Sequence, residues 1–430
     1  MPDTPIQSPQ ASSSIEEHPV SDSRQTTCCI VGAGPGGAVL ALILARQGID
    51  VTLLEAHEDF DRDFRGDTIH PSVLEIMDQL GLADRLLQLR HSKIHIATFV
   101  TPDGPVTIAD FRRLNTRFPF IALLPQVDFL EFITNEAKQY PNFHLMMGAS
   151  VQELIEENGE VKGVRYRSRD SWHAIRSVLT IGADGRSSRI RRLGGFQSIK
   201  SSPPMDVLWF RVPRKPDDPE GLLGHFGRGH VLVLLDRLDQ WQVAYVILKG
   251  SFREIQAAGL ESLRRSIAKL MVEFPERAAY VQDWKQIAIL AVESTRVRRW
   301  YRPRLLLIGD AAHVMSPIGG VGINYAVQDA VVAANVLSAS LKQGRVNTEE
   351  LSEVQRQREW PTRIIQAIQS VIQRRVIAAA LQSSNSLRVP WFIRLLLGIP
   401  LLRDLPPRIL AFGVSRVRLQ VGLETTPQPE

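Results

Sequence analysis

A glycine-rich turn between an apolar strand and an apolar helix constrains this chain more than any other feature of its sequence. Residues 26–31 form a buried-strand pattern that runs directly into the motif G-x-G-x-x-G and then a helical pattern. Gly32 permits the tight turn, Gly34 allows the backbone to approach a pyrophosphate, and Gly37 lets helix pack on strand. A second strand pattern ends at Glu55, which is placed to accept hydrogen bonds from ribose hydroxyls. The sequence therefore predicts a dinucleotide-binding βαβ unit without specifying the dinucleotide.

A second glycine-rich stretch follows a short apolar run in the C-terminal half. Residues 305–308 form a strand pattern, and Asp310 follows where that strand must end. The acid is thereby placed at the carboxyl edge of a sheet, where open α/β sheets bind ligands. The residues that leave the backbone nearly bare beyond this point and lead into the next helix are Pro317, Gly319, Gly320, Gly322 and Asn324. We expect backbone N–H groups of this turn to point at one flat ligand.

An Asp-Gly pair closes a third strand pattern. Residues 143–181 read as four strands, the middle pair joined at Asn158-Gly159, and predict a small antiparallel meander. Asp184-Gly185 then precedes a helix that Ser187 or Ser188 could cap. Asp184 is therefore the third acidic residue at a predicted strand end.

Composition excludes several classes of protein. The 430 residues are 44% apolar and 23% charged with a net charge of +5, which fits two intertwined domains of a soluble protein. No dense basic block with interleaved aromatic residues is present, so nucleic acid is not the expected partner. Cys28 and Cys29 are adjacent in a strand, and the chain lacks a disulfide framework and Cys–His metal spacing. A reducing, cytoplasmic setting without a bound metal is predicted.

The three motifs, in this order, resemble those of the class A flavoprotein monooxygenases, the family with the p-hydroxybenzoate hydroxylase fold. The resemblance covers roughly residues 26–341. It implies an α/β fold with a Rossmann-like FAD/NAD(P)-binding domain, an antiparallel β-sheet substrate domain and C-terminal helices. It also implies FAD as cofactor, with NADPH or NADH as transient reductant. The expected reaction is hydroxylation by O₂, through a flavin C4a-hydroperoxide, of an electron-rich aromatic, quinone-like or polyketide-like apolar small molecule.

The resemblance also assigns residues to the cofactor. By the family's pattern the first glycines and Glu55 hold the ADP half, Asp310 binds the ribityl chain, and the second glycine-rich turn borders the isoalloxazine. The Asp-Gly pair is expected to serve both FAD and NAD(P)H. The residues assigned to FAD are Gly32, Gly34, Gly37, Glu55, Arg65, Gln126, Asp184, Gly185, Asp310, Pro317, Gly320, Gly322 and Asn324.

Two of these assignments have ordinary alternatives, and one nearby residue is set aside. Arg65 could equally be a surface arginine, and Gln126 a residue at a helix start. Pro317, Gly319 and Gly320 are expected to flank the flavin, and no side chain is assigned as acid or base. His313 follows the Gly-Asp motif but is chiefly structural in the family.

Domain boundaries follow from the same patterns. Residues 1–25 are rich in Ser, Pro, Gln and acids, without an apolar core, and predict a disordered tail and no signal peptide. The predicted FAD-binding domain is discontinuous, the substrate domain is inserted into it, and a helical region follows. The FAD-binding segments are 26–92, 120–198 and 296–345, the substrate-binding segments are 93–119 and 199–295, and the C-terminal region is 346–422.

Strand patterns of mixed aliphatic and aromatic character in the insert predict a sheet that walls an apolar pocket. Trp209, Phe226 and Tyr245 are candidate pocket residues, although each is an ordinary core residue type. Arg211 is a candidate contact for a substrate anion or NAD(P)H, and a solvated edge arginine is the alternative.

The C-terminal region is predicted to be helical. Residues 348–381 form one long helical pattern, interrupted or kinked at Pro361. Residues 391–412 are apolar with spaced arginines and prolines, which fits short amphipathic helices packed on the body or lying on a membrane. No uninterrupted apolar run is long enough to span a bilayer.

Two other functions remain open from sequence alone: an FAD-dependent reductase or dehydrogenase of an isoprenoid-type lipid, and a flavin-binding protein without turnover. The single dinucleotide fingerprint disfavours the two-domain disulfide reductases. The halogenase signature Trp-x-Trp-x-Ile-Pro is missing, which disfavours halogenation. The sequence does not distinguish NADH from NADPH or fix the oligomeric state.

Overall fold

The structure of the chain is a computed structural model, which describes residues 22–61, 66–101, 104–227, 229–382, 399–420 and 422. Its strands are β1 (Asp22–Val31), β2 (Val51–Leu54), β3 (Thr68–Ile69), β4 (Ser92–Ile94), β5 (Ile96–Thr101), β6 (Gly104–Asp110), β7 (Ile121–Leu123), β8 (Phe143–Met146), β9 (Ser150–Glu157), β10 (Glu160–Ser168), β11 (Ser171–Gly182), β12 (Ser198–Ser201), β13 (Met205–Pro213), β14 (Leu222–Gly227), β15 (His230–Asp236), β16 (Gln240–Leu248), β17 (Ala288–Leu290), β18 (Ser294–Val297), β19 (Tyr301–Arg302), β20 (Leu305–Leu307) and β21 (His313–Val314).

The α-helices of the described residues are α1 (Pro35–Ala45), α2 (Pro71–Gln79), α3 (Ala83–Leu86), α4 (Gln126–Ala137), α5 (Arg189–Leu193), α6 (Phe252–Ala257), α7 (Leu260–Leu270), α8 (Gly322–Lys342), α9 (Thr348–Ile372), α10 (Ala378–Gln382), α11 (Pro400–Arg403) and α12 (Leu405–Phe412). Short 3-10 turns lie at Phe111–Arg113, Pro275–Tyr280, Trp284–Gln286, Gly309–Ala311 and Ile318–Gly320, and one π-helical turn at Gln373–Ile377.

An eight-stranded sheet forms the first layer of the fold. Its main path runs β19-β20-β11-β1-β2-β8, and the pairs from β20 to β8 are all parallel. Parallel strands are buried on both faces, which explains the continuous apolar runs of the sequence. Helix α1 is buried along nearly its whole length and packs against α8 and α4. The loops after β1, β2, β11 and β20 therefore meet at one edge.

Three of the four strands of the predicted meander are confirmed and extend this sheet, whereas the first, β8, pairs parallel with β2 and belongs to the main path. β9, β10 and β11 pair antiparallel in sequence order. Asn158 and Gly159 both have positive φ, 51° and 79°, as a two-residue type I′ hairpin turn requires. β1 begins at Asp22 and pairs with β11 from there, so residues 22–25 belong to a strand and the predicted tail was too long by that much. Residues 1–21 lie outside the described residues.

A seven-stranded sheet with the order β17-β13-β16-β15-β14-β5-β6 forms the second layer. β5 and β6 leave the first sheet as predicted, and β14 is a strand that the sequence patterns did not reveal. One surface, here called the outer face, carries Leu208, Phe210 and Tyr245 and packs on α7. The other, the inner face, carries Trp209 and Ala244 and lies against the end of the long C-terminal helix.

The long C-terminal helix is continuous through Pro361, so the predicted interruption there is wrong. Proline at this position removes one N–H donor without ending the helix, and the irregular turn lies later, at Gln373–Ile377. Thr348–Gln382 is long and apolar enough to cross a bilayer by length and composition, and 33% of its most apolar part is buried. Core helices meet the same criterion.

The segment after this helix is described only in part. Residues 391–398 of the predicted amphipathic segment lie outside the described residues, as do 425–430. In α12, Ala411 and Phe412 are buried against Phe111 and its neighbours. Packing on the body is therefore confirmed for α12, whereas membrane contact by residues 391–412 stays a prediction.

Candidate functional site

Four strand ends bring the sequence-predicted residues to one edge of the first sheet. The turn beginning at Gly32 follows β1, and Glu55 follows β2, which pairs with β1. Asp184 follows β11 on the other side of β1. Asp310 follows β20, the next parallel strand. The acids that were predicted from three separate motifs thus end neighbouring strands of a single parallel array.

The first glycine-rich turn is closely packed on one side and open on the other. Gly32 has φ of 102°, and a Cβ there would lie 2.5 Å from the Ala183 carbonyl oxygen. A Cβ on Gly37 would lie 2.0 Å from the Gly32 carbonyl oxygen, so helix α1 packs directly on the turn. A Cβ on Gly34, in contrast, would meet nothing within 4 Å. The open side faces the start of α1, where backbone N–H groups favour an anion.

The Glu55 carboxylate stabilises this turn by a hydrogen bond. Its Oε2 accepts the backbone N–H of Ala33 at 3.0 Å, and its Oε1 accepts the N–H of His57 at 3.1 Å. The side chain is almost fully buried, at 5% exposure. The carboxylate is therefore held beside the turn as the fingerprint requires, and its contact with a ribose stays a prediction.

Asp184 caps the helix that follows it. Its carboxylate accepts the Ser188 hydroxyl at 2.5 Å and the backbone N–H groups of Arg189 and Ile190 at 2.6 and 3.0 Å. Burial raises the pKa of Asp184, and these hydrogen bonds oppose the rise. Ser188 also caps α5, as predicted, by accepting the N–H of Arg191. Gly185 has φ of 78° and open space beside it.

Arg191 was missed by sequence reasoning and ties two strand ends together. Its Nη1 donates to the backbone carbonyls of Asp310 and Ala311 at 3.2 and 3.0 Å, and its Nη2 to that of Arg186 at 2.6 Å. Burial lowers the pKa of the guanidinium, while Asp184 and Asp310 oppose that effect. Its position in the short helix that follows the Asp-Gly pair was a usable signal, because a long side chain there is close enough in sequence to reach the neighbouring strand end.

A buried ion cluster fixes the turn that carries Asp310. Asp329 on α8 accepts the backbone N–H of Gly309 at 2.9 Å through Oδ2, which also lies 2.6 Å from His313 Nε2. Its Oδ1 accepts Arg358 Nε at 2.7 Å. These side chains are at most 1% exposed. His313 is therefore structural, as expected, and Asp329 and Arg358 are supporting residues that the motifs alone did not identify.

The second glycine-rich turn packs closely against the side chain of Thr68 in β3. Gly319 and Gly320 have φ of 80° and 63°, and a Cβ on Gly320 would lie 2.5 Å from Thr68 Oγ1. Thr68 donates a hydrogen bond to the Gly320 carbonyl at 2.8 Å. Gly322 begins α8 with open space beside it. Pro317 lies just before this turn, as its N-cap.

Asn324 carries a buried donor at the same place. Its Oδ1 accepts the His70 backbone N–H at 3.2 Å, and the residue is 2% exposed. Within the described part of the chain its Nδ2 has no hydrogen-bond partner. A buried, unpartnered donor is costly unless a ligand or water accepts from it.

The arrangement fits an extended dinucleotide that carries a flat ring. Gly34, Gly185 and Gly322 are open positions at three places along the edge, and the start of α1 suits a pyrophosphate. The buried Asn324 donor lies at the glycine turn, where a ring with acceptor atoms would be bound. The residues present therefore fit FAD.

Sequence comparison with known proteins also indicates that the chain binds FAD. A family profile for the "FAD binding domain" matches residues 25–363. The chain belongs to this family of FAD-binding proteins. It is 30% identical over 415 residues to 6-methylpretetramide 4-monooxygenase of Streptomyces rimosus, covering 96% of this chain and 98% of that protein. It is 26% identical over 335 residues to 3-demethoxyubiquinol 3-hydroxylase of Escherichia coli (strain K12), covering 73% and 80% of the two chains.

Solved structures agree on the fold. P. aeruginosa PqsL in complex with 2-aminobenzoylacetate matches with a TM-score of 0.72 at 20% identity, covering 84% of this chain and 97% of that one.

This chain is therefore a FAD-dependent monooxygenase, with FAD as cofactor and NADPH or NADH as reductant. The sequence-based expectation of a monooxygenase is confirmed, and the reductase and non-catalytic alternatives gain no support.

Two further residues, Arg65 and Gln126, were predicted to contact FAD. Arg65 lies outside the described residues. Gln126 is the first residue of α4, and its backbone N–H donates to Asp67 Oδ1 at 3.2 Å. Asp67 Oδ2 also accepts a hydrogen bond at 2.7 Å from Nη1 of Arg237, which follows β15. Gln126 thus lies where the first sheet meets the second, and its contact with FAD stays a prediction.

The candidate pocket residues divide between the two faces of the second sheet. Trp209 and Phe226 pack in the inner-face cluster, and Phe226 lies 5.2 Å from the ring of Phe99. Arg211 is exposed near the end of β13. Burial raises the pKa of Asp67, and the charges of Arg237 and then Arg211 oppose that rise. Tyr245 lies on the opposite face from Trp209 and Phe226, and its contact with a substrate stays a prediction. It pairs with Leu208 and is buried in the outer-face core under α7.

Proposed function

We propose that this monooxygenase hydroxylates an electron-rich, apolar aromatic, quinone-like or polyketide-like small molecule in the space between the second glycine-rich turn and the inner face. The observation that carries the proposal is the packing of Ile318, within the turn, in one cluster with Trp209 and Phe226 of the inner face. The predicted flavin border and the predicted substrate wall are therefore adjacent. An apolar wall beside the ring border suits a flat apolar substrate.

The inner face is suited to exclude water. Val207, Val231, Ala244 and Val246 are buried there, and the end of the long helix covers them with Ile377 and its neighbours. Exclusion of water protects a reactive intermediate from hydrolysis and strengthens local electrostatic interactions. In the proposal, Trp209 and Phe226 orient the substrate ring, and Arg211 lies at the polar end of the same face.

Residue roles on the cofactor side follow from the edge geometry. We assign the start of α1 with Gly34 to the pyrophosphate, Glu55 to the adenosine ribose and Asp310 to the ribityl chain. Asp184-Gly185 would serve the cofactor through the open backbone at Gly185, because the Asp184 carboxylate is engaged in capping. When bound, FAD would accept hydride from NAD(P)H and activate O₂.

The remaining FAD-side groups would act on the ring. The backbone N–H groups of Gly319, Val321 and Gly322 would stabilise negative charge at a ring edge, whereas the N–H of Gly320 donates to the Pro317 carbonyl at 3.0 Å. Asn324 Nδ2 would donate to a ring acceptor. Arg65 and Gln126 are retained as further contacts, and residues 93–119 and 199–295 are assigned as the substrate-binding domain.

The names of similar proteins support the substrate class. The S. rimosus relative acts on 6-methylpretetramide and the E. coli relative on a demethoxyubiquinol. PqsL was crystallised with 2-aminobenzoylacetate. These are small aromatic, quinol or polyketide compounds, in agreement with an apolar pocket.

The test is turnover with a panel of polyphenolic polyketides and quinols. A substrate should accelerate NAD(P)H oxidation and oxygen uptake together, and mass spectrometry should find a product heavier by one oxygen atom. Product formation without oxygen uptake, or no acceleration by any member of the class, would contradict the proposal.

A matched pair of variants locates the pocket. Trp209→Ala on the inner face should raise KM for the substrate and leave bound FAD unchanged. Trp284→Ala removes a partly buried tryptophan that packs against the outer-face cluster, and should leave KM unchanged. Equal effects of the two variants on KM would place the pocket elsewhere.

A further inference from the structure

One face of α9 exposes an apolar stripe that the enzyme's chemistry does not use. Trp360, Ile368 and Val371 are 61%, 36% and 60% exposed. With half-buried Ile364 they recur at the three- and four-residue spacing that places side chains on one helix face. We call these four residues the α9 stripe. Large contiguous apolar exposure marks a surface that meets another partner.

The opposite face holds this helix on the protein body. Thr362, Ile365 and Gln369 are buried. Gln369 Nε2 donates to the backbone carbonyls of Ser316 and Ile318 at 3.1 and 2.8 Å. A helix held in this way stays part of the fold, and its opposite, exposed face is available to lie on a surface.

Basic side chains surround the stripe. Arg363, Arg374 and Arg375 are exposed, and their helical positions flank the stripe. Arg363 has Glu359 as a neighbour, with N and O atoms 3.9 Å apart. Beyond Glu359 the sequence has six arginines and no acidic residue before Asp404. The charge around the stripe is therefore positive along the exposed helix from Trp360 to Arg375.

We propose that the α9 stripe docks the enzyme on the surface of an anionic phospholipid bilayer. Arginines beside exposed apolar residues match a negatively charged headgroup layer over a hydrocarbon core. Tryptophan is favoured at that boundary because its ring is apolar and its N–H is polar. A second copy of the chain fits less well, since it would present the same positively charged face.

The same helix connects this surface with the inner face. Beyond the stripe, Ile377, Ala380 and Leu381 pack against the inner-face cluster that contains Trp209. A docked enzyme would therefore hold its inner face a short helical distance from the lipid. The docking itself does not rest on the proposed substrate class.

The test is sedimentation of the FAD-loaded enzyme with vesicles of phosphatidylcholine alone or mixed with phosphatidylserine. We expect binding to the anionic vesicles, little binding to the neutral ones, and release by added salt. Arg374→Gln combined with Arg375→Gln should weaken partitioning by about thirtyfold, at roughly fivefold for each arginine. The charge-matched control, Arg253→Gln with Arg265→Gln, should bind as the wild type does.

A second pair of variants tests the apolar part. Trp360→Ser with Val371→Ser should lose vesicle binding, whereas Val272→Ser, at a position 71% exposed and remote in sequence, should not. Bound FAD and the thermal midpoint confirm that each variant is folded. Absence of wild-type binding to anionic vesicles, or equal binding by the arginine variant and its control, would overturn the proposal. A dimer that the stripe variant dissociates, without vesicle binding, would assign the stripe to a second copy instead.

Discussion

Replacing Arg358 with methionine tests whether the buried Asp329 carboxylate holds the turn after β20 in place. Arg358 is fully buried, and its Nε lies 2.7 Å from Asp329 Oδ1. Asp329 in turn accepts the Gly309 N–H at 2.9 Å. Removing one partner of a buried ion pair leaves the other charge uncompensated, which costs about 3–5 kcal/mol. We expect Arg358→Met to lower the free energy of unfolding at neutral pH by that amount.

Arg356→Met is the matched control on the same helix. The Arg356 side chain is 77% exposed and pairs with Glu353, and exposed pairs contribute about 0–1 kcal/mol. Urea unfolding of both FAD-loaded variants measures the difference. A titration followed by flavin fluorescence should also show weaker FAD binding for Arg358→Met alone. If the two variants differ by less than about 1 kcal/mol in unfolding free energy, the assigned role of the cluster is refuted.

The pH dependence gives a second check on the same variant. Burial raises the pKa of Asp329, but His313 and Arg358 outweigh it, so the pKa is lowered overall. A lowered folded pKa contributes stability above the ordinary aspartate value of 3.8, which is lost as pH falls through the folded pKa. Without Arg358 the pKa of Asp329 should rise. The loss of unfolding free energy caused by Arg358→Met, relative to the wild type, should therefore become smaller as the pH falls through 3.8.

Three further predictions concern the strand ends and the core. Gly32→Ala should destabilise the fold in thermal unfolding, because its Cβ would lie 2.5 Å from the Ala183 carbonyl oxygen, whereas Gly34→Ala should keep the thermal midpoint and weaken FAD binding. Asp310→Ala should lose FAD, and undiminished flavin absorbance of the purified protein would refute its assignment. The two cysteines should not react with a thiol reagent at neutral pH until the protein is denatured, since both are fully buried and burial raises the pKa of Cys29 to about 12.

The meeting of the acidic residues at one edge of the parallel sheet could be predicted, because each motif contains both a strand and the loop that follows it. An acid after an apolar run marks the carboxyl end of a strand, and parallel strands place those ends together. The turn at Asn158-Gly159 was equally readable, because few residue pairs accept two positive φ values. Local chemistry decides both features, so sequence was sufficient.

The faces of the second sheet could not be predicted in the same way. Alternation shows that Trp209 and Arg211 share a face, but it does not give the register between strands. Tyr245 lies opposite Leu208 rather than Trp209, which puts its side chain on the outer face. Register is set by packing on α7 and by the turn between β15 and β16, and neither is visible in the β16 pattern alone.

The residues that hold the site through contacts distant in sequence could not be predicted either. The Asp329 cluster joins residues from the Gly-Asp motif, α8 and α9, and Arg191 joins α5 to the loop after β20. Each residue alone is an ordinary charged side chain in a helix. Strand β14 was missed because glycines flank it, and a Cβ on Gly224 would lie 2.3 Å from the ring of Phe99, a contact with β5 that no local pattern indicates.

A crystal structure of the enzyme loaded with FAD tests the central claim most directly. The account predicts one extended FAD per chain, with its adenosine end beside Glu55, its pyrophosphate at the start of α1 and its ring against residues 317–322. It also predicts an acceptor atom of the ring opposite Asn324 Nδ2. A flavin bound away from the ends of β1, β11 and β20 would contradict it.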